Sequence, residues 1–411
     1  MSHCAKKVLV VLDNADQKPT DFQVAVYDTA QQLATALPAT ILISLRESTY
    51  YRLCRLPQAD AFSQQDVFHI RAPNIQSVVD SRFDFLAKEL AHTKQTITSA
   101  HGIDLTITDI ERFTRLLKRS LLEGKDAARI AELLASVSNG SVRESLNLIY
   151  DFLTSGHTKM EEYIRDYAVS ETSRIPFHEF LSSIMLGDMA YFREDQSRAF
   201  VDLFARSAVP GDSHFTRLRL LYLVRAVSPS NELRPDDYVR LDRVRDEMLM
   251  VGVPDTVLAA HLQTLIRYGL LHTDTQTLLD EPASLGIEYE GVNSVHISAS
   301  GQYYLDVLAG RFEYLQRVIP DVPIRDSDAL AALESIFGRY RSNPASMPID
   351  QAAICVRALL QYFEAEEERE HGEGILARNP LLSNVRFVDS IRLKVAPQIT
   401  VIESLTTKRR A

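Results

Sequence analysis

The amino-acid sequence predicts a mainly α fold that begins with a small parallel α/β unit. Three observations lead to this prediction. An uninterrupted apolar run, Val8–Leu12, is followed by a helical pattern and then by a second apolar run. From residue 75 onward, apolar residues recur mostly at the three- and four-residue spacing of amphipathic helices. Residues 213–310 add two short strand-like segments to these helices.

The first predicted strand, Val8–Leu12, ends next to an acidic residue. Its five consecutive apolar residues are typical of a strand buried on both faces, because a half-exposed strand alternates apolar and polar residues. Asp13 follows directly. Ligands of open α/β sheets bind beyond the carboxyl ends of the strands, so an acid here favours a binding site. A local turn is the alternative, because Asp and Asn also begin turns.

The next two elements continue the α/β unit. Residues 22–37 have helical periodicity, and the apolar run at residues 40–45 ends at Arg46. A strand, a helical crossover and a second strand predict parallel pairing, which places both carboxyl ends side by side. Asp13 and Arg46 should therefore face one crevice, although Arg46 alone also fits a solvated charge. A further apolar run at residues 66–70 predicts the last strand of this sheet.

A predicted turn introduces the last of four consecutive helices. The three helices before it are expected near residues 75–90, 109–123 and 126–136. Gly140 can adopt the left-handed backbone that ends a helix, and Ser141 with Glu144 forms the S-x-x-E pattern of a capping box. Arg143 then lies in the first turn of the next helix, where it can reach an anion at the helix end. An exposed arginine without a ligand is the alternative.

From the first strand through these helices, residues 6–155 resemble the second half of a P-loop nucleotide-binding domain. The resemblance is to bacterial AAA+ and STAND proteins, and the turn before Arg143 is similar to that of origin-recognition-type members. In this family the strand-end aspartate of the Walker B motif holds Mg²⁺ against ATP, which implies a metal-binding and catalytic role for Asp13. The resemblance likewise implies nucleotide binding by Arg46 as sensor 1 and by Arg143 as sensor 2.

The sequence departs from the family pattern in two places, which concern phosphate binding and the activation of water. The chain contains no G-x-x-x-x-G-K-[ST] sequence, so the backbone cradle and the lysine of the P-loop (Walker A) are missing. The residue after the Walker B aspartate is Asn14 where most family members have a glutamate that polarises water, and Asp16 is the candidate substitute. The resemblance therefore implies the C-terminal portion of a longer ATPase, which binds ATP and Mg²⁺ only together with an upstream-encoded P-loop part.

Residues 213–310 combine three predicted helices with two strand-like segments. This order resembles a winged helix, a helix-turn-helix variant whose third helix can enter the major groove of DNA. In a DNA-binding winged helix, Arg217, Arg219 and Arg267 would supply the phosphate contacts. The acidic loop between the strands and the net charge of −10 favour weak DNA binding at most. Packing against another protein segment is an equal alternative.

Composition excludes several other classes of function. The three cysteines are far apart and have no metal-ligand spacing, which argues against a zinc site. There is no G-x-S-x-G or G-x-G-x-x-G sequence, so hydrolase and dehydrogenase functions lack their usual motifs. No apolar run reaches the ~18–20 residues needed to cross a bilayer, and the first residues lack the pattern of a signal peptide. We therefore expect a cytoplasmic protein that does not contact a membrane.

The sequence thus predicts five parts and two alternative functions. The parts are a truncated α/β P-loop NTPase core (1–90), a helical lid (91–160), a helical connector (161–212), a winged-helix domain (213–310) and a C-terminal helical region (311–411). The first function is an ATP-dependent AAA+/STAND molecular switch whose partner is the upstream-encoded P-loop half or a second copy of the chain. The alternative is a non-enzymatic interaction or DNA-binding protein with a degenerate nucleotide-binding core.

Overall fold

The computed structural model describes residues 8–15, 18–45, 49–50, 67–68, 70, 73–92, 97–98, 104–105, 107–170, 172–228, 238–274, 292–341 and 347–410. Within these ranges the protein is mainly helical and has three small sheets of two or three strands each. The prediction of a mainly α fold is confirmed.

The chain begins with a strand–helix–strand unit formed by β1 (Val8–Leu12), α1 (Thr20–Ala36) and β2 (Ala39–Ile43). The two strands pair in parallel, so that Leu12 at the end of β1 lies opposite Ile43 at the end of β2. The buried Tyr27 of α1 packs against Val24, Ile43 and Leu45 in a small hydrophobic cluster of its own. Apolar residues on one side of α1 therefore attach this helix to β2.

Two sequence predictions for this unit were wrong. β1 is not buried on both faces, because Val8, Leu9 and Val11 are 53%, 58% and 55% exposed. Among the residues that the structure describes, only β2 pairs with β1, and a two-stranded sheet cannot enclose its own side chains. The described part of the predicted third strand, Val67, Phe68 and Ile70, is not a strand. A strand needs a hydrogen-bonding neighbour, and an apolar run alone does not provide one.

A group of helices and one short hairpin follow. Their bounds are α2 (Ile75–His92), β3 (Ile97–Thr98), β4 (Asp104–Leu105), α3 (Ile107–Leu122), α4 (Gly124–Val137), α5 (Val142–Thr154) and α6 (Met160–Ser170). The hairpin of β3 and β4 is antiparallel and was not predicted. The predicted turn before α5 is confirmed, since Gly140 has a φ of +78° and the Ser141 hydroxyl accepts a hydrogen bond from the Glu144 N–H.

The next segment encloses a three-stranded sheet. Its elements are α7 (Phe177–Leu186), α8 (Thr216–Val227), β5 (Val239–Arg240), α9 (Leu241–Met250), α10 (Asp255–Arg267), β6 (Leu271–Thr273), β7 (Ser294–Ile297) and α11 (Ala299–Asp306). The sheet is antiparallel with the order β5-β7-β6. The sequence predicted the segments that became β6 and β7 but not β5, which has only two residues. We call α8 to α11 with this sheet the helix–sheet module.

Four more helices complete the described chain: α12 (Phe312–Val318), α13 (Ser327–Tyr340), α14 (Ile349–Gly372) and α15 (Phe387–Arg410). One hydrophobic core extends from Ile75 in α2 to Ile399 in α15, and it includes the interior of the helix–sheet module. In the part of the chain that the structure describes, no helix is both long and apolar enough to cross a membrane.

Candidate functional site

Asp13 lies at the carboxyl edge of the parallel strand pair. It directly follows β1, and its side chain is exposed. Its Oδ1 atom accepts a hydrogen bond from the backbone N–H of Asn14 at 2.9 Å, and Asn14 has a φ of +61°. This tight turn stops β1 and leaves the carboxylate at the sheet edge where ligands of parallel sheets bind. The two other predicted residues near this edge, Asp16 and Arg46, lie outside the described residues.

Arg143 lies in the first turn of α5, and its side chain is exposed. Two acidic residues of the same helix, Glu144 and Asp151, form ion pairs with Arg198 and not with Arg143. The N···O distance is 3.5 Å in each pair. The main packing partners of α5 are α2, α4 and α7, whereas β1 packs mainly against β2. The structure thus places Arg143 and Asp13 on separately packed elements. The residues it describes contain no group of three or more potential metal ligands.

Asn139 attaches the turn before α5 to the helix–sheet module. Its Nδ2 atom donates a hydrogen bond to the Gly269 carbonyl, and its Oδ1 atom accepts one from the Ser300 N–H, both at 2.9 Å. Gly269 follows α10, and Ser300 lies in the first turn of α11. One side chain therefore connects the start of the Arg143 helix to two helix ends of the module. The sequence indicated a turn at Asn139 but contained no signal for its distant partners.

Arg217 is not on the surface of the module but lies in a buried network of charges. Its guanidinium donates two hydrogen bonds to the Glu194 carboxylate and one to the Asp202 carbonyl. Its Nε atom donates to Nδ1 of His261 at 3.0 Å, and Nε2 of His261 bonds Asp212 at 2.9 Å. Because guanidinium groups only donate, Nδ1 of His261 is the acceptor of this hydrogen bond.

The carboxyl groups of this network differ in how readily they ionise. Burial alone would raise the pKa of Asp212, but hydrogen bonds from His261 and from the Ser207 N–H outweigh burial and hold the pKa below its usual value. Burial and the nearby Glu194 carboxylate raise the pKa of Asp202 well above its usual value. The network is buried except at Glu194, which is partly exposed, and it fixes α8 and α10 to the segment between Glu194 and Asp212. Its arrangement fits a structural brace.

The expectation that Arg217 and Arg219 contact DNA does not fit their burial. Both are 5% exposed, and Arg219 forms an ion pair with Glu370 of α14. The physical reason is that α8 is a core helix, with eight of its twelve residues buried, so its arginines need partners within the protein. Periodicity could not show this, because a buried helix and an exposed amphipathic helix can contain the same number of arginines.

Arg267 is the predicted DNA-binding residue that remains exposed. It lies at the end of α10, and its guanidinium stacks 5.6 Å from the ring centroid of Tyr268. At the start of the same helix, Asp255 accepts a hydrogen bond from Arg245 at 2.6 Å. The exposed surface of α10 therefore combines one acidic and one basic end, which is a weak arrangement for holding a polyanion.

Comparisons with protein-family models, with curated proteins and with solved structures found no match to this chain.

Proposed function

We propose that this chain supplies the Walker B, lid and winged-helix parts of an ATP-dependent molecular switch of the AAA+/STAND type. The main supporting observation is the parallel pairing of β1 with β2 across α1. This pairing leaves Asp13 exposed at the sheet edge where P-loop proteins bind Mg²⁺ and nucleotide phosphates.

The connection at Asn139 supports the switching part of the proposal. In this mechanism Arg143 approaches the nucleotide phosphates, and the movement of α5 passes through Asn139 to Gly269 and Ser300. The element order of the module, a helix and a short strand followed by two helices and two strands, agrees with a winged helix as the moving part.

The mechanism requires a P-loop that this chain does not contain. No G-x-x-x-x-G-K-[ST] sequence occurs in its 411 residues. The phosphates of ATP, with Mg²⁺, would therefore be held by a P-loop on another segment, while Asp13 contributes its carboxylate to the metal. The chain alone should give no micromolar affinity for Mg·ATP in a calorimetric titration. Micromolar binding of Mg·ATP by the isolated chain would contradict the proposal that a P-loop on another segment holds the phosphates.

The decisive experiment restores the P-loop. The chain is expressed together with the sequence encoded in frame upstream, and Mg²⁺-dependent ATP hydrolysis is measured. We expect Asp13→Asn to abolish turnover, and Arg46→Ala and Arg143→Ala to slow it. The matched controls are Asp28→Asn and Arg165→Ala, which change exposed residues of α1 and α6 and should leave the rate unchanged. An upstream sequence without a P-loop, or equal rates for Asp13→Asn and Asp28→Asn, would refute the proposal.

The burial of Arg217 and Arg219 favours protein interaction over DNA binding as the alternative function. Because Arg217 and Arg219 are engaged in ion pairs inside the chain, two of the three arginines expected to contact DNA are not available to it. The alternative is therefore a non-enzymatic interaction protein, in which the module packs against protein segments and the α/β unit is a degenerate scaffold.

A further inference from the structure

One edge of β1 has no partner strand in the part of the chain that the structure describes, where β2 alone pairs with β1. The backbone carbonyl of Leu12 accepts a hydrogen bond from the Ser44 N–H, so Leu12 directs its backbone groups toward β2. Backbone groups of successive residues point to opposite sides of a strand. The free edge of β1 therefore presents the N–H and C=O groups of Leu9 and Val11.

The composition of β1 suits pairing with another strand better than exposure to solvent. Val8, Leu9 and Val11 are more than half exposed, and because side chains alternate along a strand, they lie on both faces. Parallel sheets are normally covered on both faces, and a two-stranded sheet alone is marginally stable. Proteins usually block a free edge with a charged residue or a proline, and β1 contains neither.

The sequence around β1 is complementary to itself when it runs in the opposite direction. Lys7 precedes the strand and Asp13 follows it, so its two ends carry opposite charges. If two copies of β1 run antiparallel about Val10, Leu9 of one copy lies opposite Val11 of the other. In the same register, Lys7 of each copy lies opposite Asp13 of the other. This register brings together the residues whose backbone groups point to the free edge.

We propose that β1 joins two copies of this chain by antiparallel pairing of their free edges, which forms a four-stranded sheet with the order β2-β1-β1-β2. A two-fold axis at Val10 makes the contact isologous, so the same residues serve both copies. The backbone groups of Leu9 and Val11 supply the hydrogen bonds, and the end charges select the direction and register.

The free edge of β2 is less suited to this contact, because Pro38 precedes that strand and the uncharged Ser44 follows it. The self-pairing of β1 needs neither ATP nor a P-loop, so it does not depend on the proposed switch function. An exposed ion pair contributes at most about 1 kcal/mol, so pairing with Lys7 of the second copy is compatible with Mg²⁺ binding by Asp13.

Sedimentation velocity of the full chain at increasing concentration tests the contact. We expect a monomer–dimer equilibrium with a dissociation constant of about 100 µM or lower. Val11→Pro removes a donor at the free edge and keeps the hydrogen bonds to β2, so it should weaken the dimer at least about tenfold. A wild-type chain that stays monomeric would overturn the proposal and would favour a strand of a different protein at this edge. A dimer of unchanged affinity in Val11→Pro would overturn it as well.

An exchange of charges assigns the register. Lys7→Asp and Asp13→Lys each place like charges opposite each other at two positions, so each variant alone should dimerise at least about tenfold more weakly than the wild type. An equimolar mixture of the two should dimerise again, because every facing pair is then opposite in charge. This mixture also controls for folding. Asp28→Lys makes the same charge change on the exposed surface of α1 and should leave the dimer unchanged. Single variants with wild-type affinity, or a mixture that stays monomeric, would refute the pairing.

Discussion

The side chain of Asn139 donates a hydrogen bond to the backbone carbonyl of Gly269, 130 residues further along the chain, with an Nδ2···O distance of 2.9 Å. Both residues have left-handed backbone, with φ values of +50° and +69°. A Cβ atom at position 269 would lie 3.0 Å from Asn139 Nδ2, so the absence of a side chain at Gly269 permits this close approach. Two tight turns therefore meet where the α4–α5 helices contact the helix–sheet module.

Two substitutions of Asn139 should separate the stability that comes from its side-chain hydrogen bonds from the stability that comes from its tolerance of left-handed backbone. Asn139→Ala removes the hydrogen bonds to Gly269 and Ser300 and also places alanine in left-handed backbone, so we expect the free energy of unfolding to fall by about 2 kcal/mol. Asn139→Gly removes the hydrogen bonds but tolerates the backbone, so we expect a loss of about 1 kcal/mol. Urea denaturation measures both values. Losses below about 0.5 kcal/mol in both variants would show that the contact contributes little.

Arg217 should be important for stability. Arg217→Met removes the counter-charge of the Glu194 carboxylate, which keeps the Asp202 N–H as a donor, and removes the donor to Nδ1 of His261. We therefore expect the free energy of unfolding to fall by about 3 kcal/mol. Arg267→Met changes an exposed arginine of the same module and should cost no more than about 0.5 kcal/mol. Chemical denaturation compares the two variants. Similar small losses would mean that the buried network is not a structural brace.

His272 should make the protein less stable in mild acid. It lies opposite His296 in the β6–β7 pairing, and burial, with a smaller contribution from His296, lowers its pKa to about 4 from the usual 6.5. The unfolded chain therefore binds a proton that the folded chain resists, and stability falls as the pH drops from about 6.5 to 4. This one group should reduce the free energy of unfolding by about 2 kcal/mol between pH 7 and pH 5.

The pH effect is assigned by comparing two leucine variants. His272→Leu should lose this part of the pH dependence, whereas His178→Leu, which changes an exposed histidine of α7, should retain it. Denaturation at pH 7, 6 and 5 gives the comparison. Parallel stability profiles for wild type and His272→Leu would contradict the assignment.

DNA binding by the helix–sheet module should be weak and sensitive to salt. With Arg217 and Arg219 buried, we expect fluorescence anisotropy to detect binding to duplex DNA at low salt and not at physiological salt. Arg267→Ala should reduce the salt slope by about one unit, and the variant Arg217→Lys should leave it unchanged. Nanomolar binding at physiological salt would favour DNA as the partner of the module.

Local chemistry made several elements of the fold predictable. The glycine and capping residues before Arg143 fix a helix boundary through backbone conformation and one short hydrogen bond, and both act within a few residues. The two-residue β5 could not be predicted, because a strand of this length exists only through its pairing with β7. The exposure of β1 could not be predicted either, since it depends on what packs against the strand.

The sequence by itself determined the mainly helical character, the strand–helix–strand start with Asp13 after β1, and the capped start of α5. Each of these depends on residues close together in the chain. Only the tertiary structure decided that Arg217 and Arg219 are buried ion-pair partners and that Asn139 contacts Gly269 and Ser300. The physical reason is that burial and pairing of a charged or polar side chain depend on groups more than twenty residues away, which local patterns do not encode.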